Sequence, residues 1–473
     1  MEPTKATDPE RANTRINHLL LVALLVFVFL CGFFQVSDVD VGFHMRTGAY
    51  VLEHRAIPSV NTFSFTEPDH PWLLHQWWPA TLYYLVYSAG GVGALITFKA
   101  LLGMLLMWLV WLRARRESNR DSLWPFWLVT IGVLIVRVRF FERPLLFSAV
   151  IFALLLYLDG RHTNGRRWQW LGLPLLMAFW SNTHAGVAYG FVYLAIVAGA
   201  EWAEWGWNAL RRRSAQPAER AERETIRPLL VRPIGGLLSA AASAVSLQVI
   251  NPSGYRVLLL PIDFFTSRFW QTQIQELFPP AWEQEKLFFI FLGALIALQL
   301  ATWRNFNVRH FLLSLAFGYL ACRSQRSILM FTLAAIPHAA GMLQQLSDKW
   351  IASSRQWQNA LLPATWLVLV AWVILPDQTF RFGVGFYAPY YPLEIHQFLK
   401  DEVPSQRVFN DMLYGGQMLW WLYPKFKPFV DGRGDACSVA FWQNEYMPAI
   451  NGDPQWRAVF RKYDIHAALL SIP

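Results

Sequence analysis

The sequence predicts an α-helical polytopic membrane protein of about eleven spans, with a small α/β unit at its C-terminal end. Three observations predict it. The 473 residues are 55% hydrophobic and only 15% charged, with mean hydropathy +0.27, whereas a soluble domain carries about 25% charge. Apolar runs recur from residue 18 to residue 375. Aromatic residues make up 16% of the chain, and many of the 24 Trp stand near the ends of those runs, as in the belts at the two faces of a bilayer.

The expected spans are about 18–36, 91–112, 123–138, 144–159, 168–182, 185–204, 229–249, 285–303, 308–322, 325–345 and 359–375. Several lie near the lower limit of the ~17–25 residues that a crossing needs. The first follows Arg11 and Arg15 and runs on into Gln35-Val36-Ser37-Asp38 without a small-x-small cleavage site. It therefore reads as a retained span rather than a removed signal.

Orientation follows from the loops. The N-terminus and the loops 113–120, 161–167, 211–227, 303–309 and 349–355 are separated pairwise by even numbers of spans, and all carry Lys or Arg. The positive-inside rule puts them in the cytoplasm. The segment after Pro376 is then outside, and the protein is a multi-pass protein of the cytoplasmic membrane. These loops explain the net charge of +9. No basic stripe with interleaved aromatics appears, so a nucleic-acid partner is not expected. Cys31, Cys322 and Cys437 fit neither a metal spacing nor a disulfide framework.

With this orientation the unusual polar clusters gather outside: Asp38, Asp40, His44 and Arg46; Arg137, Arg139, Glu142 and Arg143; Asn182 and His184; Asn251; Gln275 and Glu276; Arg323 and Arg326. Charge beside a bilayer is costly and usually functional, so an active site is expected at the extracytoplasmic surface. The outside arginines run against the orientation rule. They either snorkel or pair with carboxylates such as Glu142, or they line a pocket for an anionic substrate, because guanidinium binds phosphate oxygens two at a time. Asn182 and His184 read as structural partners or substrate contacts, and Glu276 as a candidate acceptor contact.

The loop 37–90 is the most specific stretch. Ser37 or Asp38 can cap a helix starting near Asp40, on which Asp40, His44 and Thr47 share a face. Phe43, Tyr50 and Val51 give that helix an apolar side suited to lying in the interface. Asp38 and Asp40 also form a D-x-D pair that could hold a divalent metal with His44; a cap plus helix-start charge explains one Asp but not both. The tail, 377–473, reads as strands at Arg407 to Asn410, Lys427 to Asp431 and His466 to Ile472. Helices are expected at Tyr414 to Leu422, Phe441 to Ile450 and Pro454 to Tyr463. That order suggests a small parallel sheet. Asp431-Gly432-Arg433-Gly434-Asp435 reads as a turn beside a strand end.

The loop sequence Asp38-x-Asp40-x-x-x-His44-x-Arg46-x-Gly48, followed by Pro58-x-x-x-x-Phe63-Ser64, Pro71-Trp72 and Trp77-Trp78, resembles the GT-C superfamily of membrane glycosyltransferases. Arg143-Pro144, Asn182-Thr183-His184, Asn251-Pro252, Asn410-Asp411, Gly415-Gly416 and Asp431-Gly432-Arg433 extend the resemblance over most of the chain, toward bacterial families of unassigned substrate in the cell envelope. The resemblance implies a first outside loop carrying a catalytic carboxylate. It also implies an inverting transfer of sugar from a polyprenyl-phosphate donor to a glycan, lipid or protein acceptor, with no certain cofactor. Asp40 is the favoured base and Asp38 the alternative. Competing classes are a flippase for lipid-linked glycans, which would want mid-span charges and symmetric halves, and a non-catalytic assembly protein that kept the fold.

Overall fold

A computed structural model describes residues 8–119, 122–159, 172–213, 227–350, 364–373, 375 and 380–471. The basic loop 161–167, most of 211–227 and 351–355 lie outside the described residues. The apolar runs fold as helices: α1 Asp8–Gly32, α2 Val41–His54, α3 Trp77–Glu117, α4 Trp124–Val136, α5 Pro144–Asp159, α6 Leu173–Ser181, α7 Val187–Arg213 and α8 Arg227–Ile250. Then come α9 Arg256–Thr266, α10 Arg268–Gln273, α11 Lys286–Ala301, α12 Val308–Arg323, α13 Ile328–Trp350 and α14 Ala364–Val373.

A helix therefore occupies each expected interval, but helices and crossings are different counts. Among the described residues two helices, Trp77–Glu117 and Gln325–Ser347, are long and apolar enough to cross a membrane. His18–Gly32, Pro144–Asp159, Ala240–Ile250, Lys286–Ala301 and Ala364–Val373 are shorter apolar helices. α3 starts well before the expected span. It breaks at Gly90 and Gly91, where Gly91 has φ +64°, a left-handed conformation that glycine adopts without steric cost. The apolar run resumes just after that break, where the span was expected.

α13 runs through the centre of the bundle, packed against α3, α4, α5 and α12. Leu329, Met330, Phe331, Leu333 and Ile336 are fully buried in one large apolar cluster with Phe152, Val129 and Leu106. Burial on every side is what a helix apolar all round requires.

α2 is covered by the protein on more than one side. Val41, Gly42, Phe43, His44, Met45, Thr47, Gly48 and Ala49 are all buried. A Cβ on Gly42 would run into the Gly416 carbonyl, and one on Gly48 would lie 2.8 Å from Thr81 Cα. At about 100° per residue these two glycines point to different sides. α2 is thus clamped between α3 and a helix of the tail.

That tail helix is α16, Met412–Trp421, which follows α15, Leu393–Glu402, and strand β1, Val408–Asn410. α17, Trp456–Lys462, leads to β2, Ala467–Leu469, which pairs parallel with β1 at Val408↔Ala467 and Asn410↔Leu469. The third strand expected at Lys427 to Asp431 does not form. The Asn410 side chain takes its ladder bonds instead, accepting from Phe429 N at 2.7 Å and donating to Val430 O at 2.8 Å. The tail also pairs directly with the chain at the end of the first expected span, with Val36 N donating to Gly385 O and Tyr387 N to Val36 O, both at 2.9 Å.

Candidate active site

Asp38 and Asp40 stand where α1 gives way to α2. Asp38 Oδ1 accepts the Asp40 N–H at 3.1 Å, so Asp38 shapes the turn that starts the helix at Val41. The helix begins one residue later than expected, and Asp40 occupies its N-cap position without a side-chain cap bond.

Arg143, one residue before α5, organises the site. Its Nε and Nη2 donate to Asp38 Oδ2 and Oδ1 at 2.5 and 3.0 Å. Nη2 also lies 3.1 Å from Asp40 Oδ2, and Nη1 reaches Glu276 Oε1 at 2.5 Å. Arg326 Nε approaches the other Glu276 oxygen at 3.3 Å. One guanidinium thus gathers three carboxylates from two distant segments, and a second guanidinium flanks them. Such charge-assisted pairs are the strong ones.

The two aspartates are not equivalent. The Asp38 side chain is 1% exposed and that of Asp40 is 20% exposed. Asp38 has both oxygens on Arg143, and its backbone carbonyl accepts the Tyr391 hydroxyl. Asp40 shares only an edge of the guanidinium. Burial pushes the Asp40 carboxyl up to about 7 against the pull of Arg143, and Asp38, Glu276 and Asp431 add to the rise. Burial also pushes Glu276 up, but Arg143, Arg326 and Arg139 outweigh it and bring the group down to about 2. The two neighbouring carboxyls thus shift in opposite directions, Asp40 by burial and Glu276 by its three arginines.

Three histidines border the cluster. Burial, then Arg143 and His75, holds His44 down to about 3. Burial and Arg326 bring His75 to about 4, although the Leu73 carbonyl opposes them. Burial, Arg326, His75 and His44 keep His184 well below its ordinary value. All three are neutral at pH 7. His184 Nδ1 accepts the Gly186 N–H at 2.9 Å and lies 3.0 Å from Ser148 Oγ, and its ring centroid is 5.8 Å from that of His75. Asn182 accepts Trp77 Nε1–H at 3.1 Å and donates to Ala178 O. Both side chains hold the end of α6 in place.

Several expected contacts fall elsewhere. Arg46 pairs with Glu53 at 2.8 Å and stacks on Tyr423. Arg137 lies over the Trp372 and Phe380 rings. Arg323 is exposed at the end of α12 and makes no ion pair among the described residues. Arg139 sits 3.8 Å from Glu285 and acts on Glu276 through space. The knot of arginines around Glu142 does not form. Glu142 is fully buried against Lys99 at 2.7 Å, and Lys99 also donates to Phe34 O at 3.0 Å. Lys99 carried a signal that was passed over, as the one charged residue between Trp77 and Leu112.

A metal held by Asp38, Asp40 and His44 does not fit these side chains. The Arg143 guanidinium bridges both carboxylates. Among the described residues no group of three or more His, Cys, Asp or Glu is arranged to hold an ion.

No protein-family model matches the chain, and neither does any curated protein sequence. Solved structures do match it. The apo oligosaccharyltransferase of Archaeoglobus fulgidus superposes with a TM-score of 0.57 at 12% identity, over 94% of this chain and 69% of that one. The archaeal oligosaccharyltransferase AglB from the same organism, in complex with an inhibitory peptide and a dolichol-phosphate, gives 0.58 at 12% identity, over 96% and 69%. The form tethered to an acceptor peptide gives 0.60 at 11% identity, over 94% and 68%. At this identity the likeness is one of fold: the chain shares the fold of the archaeal oligosaccharyltransferase over most of its length.

Proposed function

We propose that this protein transfers a sugar from a polyprenyl-phosphate-linked donor to a glycan, lipid or protein acceptor at the extracytoplasmic membrane surface, with Asp40 as general base. The reading rests on one observation. A partly exposed carboxyl with raised proton affinity stands beside a buried, arginine-locked one, on the loop after α1, with a guanidinium pair across Glu276.

The acceptor hydroxyl gives its proton to Asp40 as its oxygen attacks the anomeric carbon. The bond from that carbon to the phosphate oxygen breaks, and the phosphate leaves on its lipid. One displacement on one face inverts the centre. A base within hydrogen-bond reach is required, and charge growing on the leaving phosphate is stabilised by donors already in place. Arg326 suits that role: it uses only Nε toward Glu276 and keeps 31% of its side chain exposed. Arg139 adds positive charge nearby. Asp38 and Glu276 hold Arg143 rather than meet substrate. Neutral His44 and His75 add no charge to the cluster, and both His75 nitrogens are engaged, with the Leu73 carbonyl and the Gln76 amide.

The saturation of Arg143 by three carboxylates also suits a non-catalytic protein that kept the fold. One experiment separates the two. The wild-type protein in lipid nanodiscs is titrated with a polyprenyl phosphate and with the uncharged polyprenol of equal length. A donor enzyme binds the phosphate at least ten-fold tighter. Equal binding would remove the donor assignment.

A further inference from the structure

The tail turn Asp431-Gly432-Arg433 closes over Asp40. A Cβ built on Gly432 would fall inside 3.0 Å of Asp40 Oδ1, 2.9 Å from its Cγ and 3.3 Å from Phe43 Cε1. Gly432 is not among the residues with positive φ, so its backbone shape is open to any residue. The glycine answers a need for space alone, and the space it leaves is filled by a carboxylate oxygen of the site.

The turn cannot back away. Arg433 grips Asp431 through Nε at 2.7 Å and Nη2 at 2.5 Å, and Nη2 also donates to Asn61 Oδ1 at 3.1 Å. Its guanidinium lies 5.0 Å from the Phe63 ring centroid and 4.5 Å from that of Trp72. Thr66 Oγ1 donates to Phe429 O at 2.5 Å, and the Asn410 amide holds Val430 O at 2.8 Å. Behind the turn, a Cβ on Gly415 would sit 2.5 Å from Asp431 Cα, and one on Gly416 would meet the Val39 carbonyl. Loop, α16 and turn are packed backbone against backbone, so strain at Gly432 is relieved most cheaply at the Asp40 side chain.

We propose that Gly432 is a positioning residue for Asp40, and that the tail turn is a wall of the active site. The hydrogen standing where a Cβ would be points at Oδ1, while Arg143 draws Oδ2. The carboxylate is held between them, fixed in rotation by an absence of side chain on one side and a cation on the other. A methyl group at position 432 turns the carboxylate off Arg143 and out of line with the acceptor.

This inference rests on the proposed role of Asp40, and the test keeps the two apart. Donor consumption is measured for the full chain in nanodiscs with Gly432→Ala, Asp40→Asn and the double variant. Gly432→Ala is expected to lower kcat by at least about ten-fold, because a misplacement near 1 Å can cost about a hundred-fold, with KM for the lipid donor within two-fold. The groups facing Asp40 are Arg143, Asp38, Glu276 and Asp431. With Arg143 drawn off, the acidic limb of kcat/KM moves to higher pH. Gly432→Ala adds nothing in the Asp40→Asn background, since residues acting as a unit are not additive. If Asp40→Asn is inactive while Gly432→Ala matches wild type in rate and pH profile, Gly432 has no such role and Asp40 keeps its own. If Asp40→Asn is fully active, the base assignment falls instead. Should Gly432→Ala lower Tm so far that it cannot be assayed, Asp40→Ser/Gly432→Ala recovers Tm if the clash is with Asp40. Failure to recover would overturn the inference.

Discussion

Arg143 holds Asp38 through two parallel contacts, Nε to Oδ2 at 2.5 Å and Nη2 to Oδ1 at 3.0 Å. The pair joins the start of α5 to a loop 105 residues earlier, and the same guanidinium reaches Asp40 and Glu276. Removing it leaves three carboxylates facing one another. Breaking a buried pair by deleting one partner costs about 3–5 kcal/mol, so Arg143→Ala is expected to lower Tm substantially in detergent. Arg143→Lys keeps the charge without the fork. It should fold and lose at least about ten-fold in rate, because the misplaced Asp40 no longer lines up. Wild-type turnover by the lysine variant would show that the two-pronged geometry is dispensable.

Asp40→Asn keeps shape and removes the capacity to take a proton. Loss of a general base typically costs about 10²–10⁴ in rate, with Tm held or raised, since a partly buried carboxylate beside two others is neutralised. Asp38→Asn is expected to act first on stability, because Asp38 is the buried partner of Arg143. A reversal, with Asp38→Asn folded but inert and Asp40→Asn active, would transfer the base role to Asp38.

The pH profile has a definite sign. A base works unprotonated, and burial has moved Asp40 up to about 7. The kcat/KM should therefore fall as pH drops through about 7 and level off above it. His44 near 3 and His75 near 4 are neutral throughout that range and add no limb of their own. A profile flat from pH 5 to 8 would count against Asp40 as the titrating base.

The arginines expected outside separate by position. Arg326→Ala should weaken binding of a polyprenyl phosphate by about ten-fold or more and leave polyprenol binding unchanged, since hydrogen bonds to a charged group are worth about 1.5–3 kcal/mol. Arg323→Ala, at an exposed residue with no ion pair among the described residues, should change neither. Equal losses for both lipids with Arg326→Ala would make it a packing residue rather than a phosphate contact.

Orientation is open to direct measurement. Reporter fusions after Arg116 and Arg213 are expected to read as cytoplasmic, and a fusion at the C-terminus as outside. A cytoplasmic C-terminal reporter would break the eleven-span arrangement and overturn the extracytoplasmic placement of the Asp40 cluster, because cluster and tail are packed together through Gly42 and Gly416 and share one side.

The sequence by itself determined what depends on neighbours along the chain. Apolar runs had to become helices, because a backbone inside a bilayer must satisfy its own hydrogen bonds. Charges placed at the ends of those runs marked Asp38, Asp40, Arg143, Glu276 and Arg326 as candidates, since a charge there needs a reason. Which of them meet was a matter of tertiary structure. Arg143 and Arg326 converge on Glu276, while Arg46 turns to Glu53, Arg137 to aromatic rings and Glu142 to Lys99. Each choice depends on which helix lies alongside, and that is fixed by side-chain fit across segments remote in sequence. The tail shows the same limit. Gly416 reads as part of a helix and Gly432 as a turn residue, yet they stand where α2 and Asp40 press in. Space needed by a distant carboxylate leaves no periodic or compositional trace, so only the folded chain could reveal that the tail walls the site.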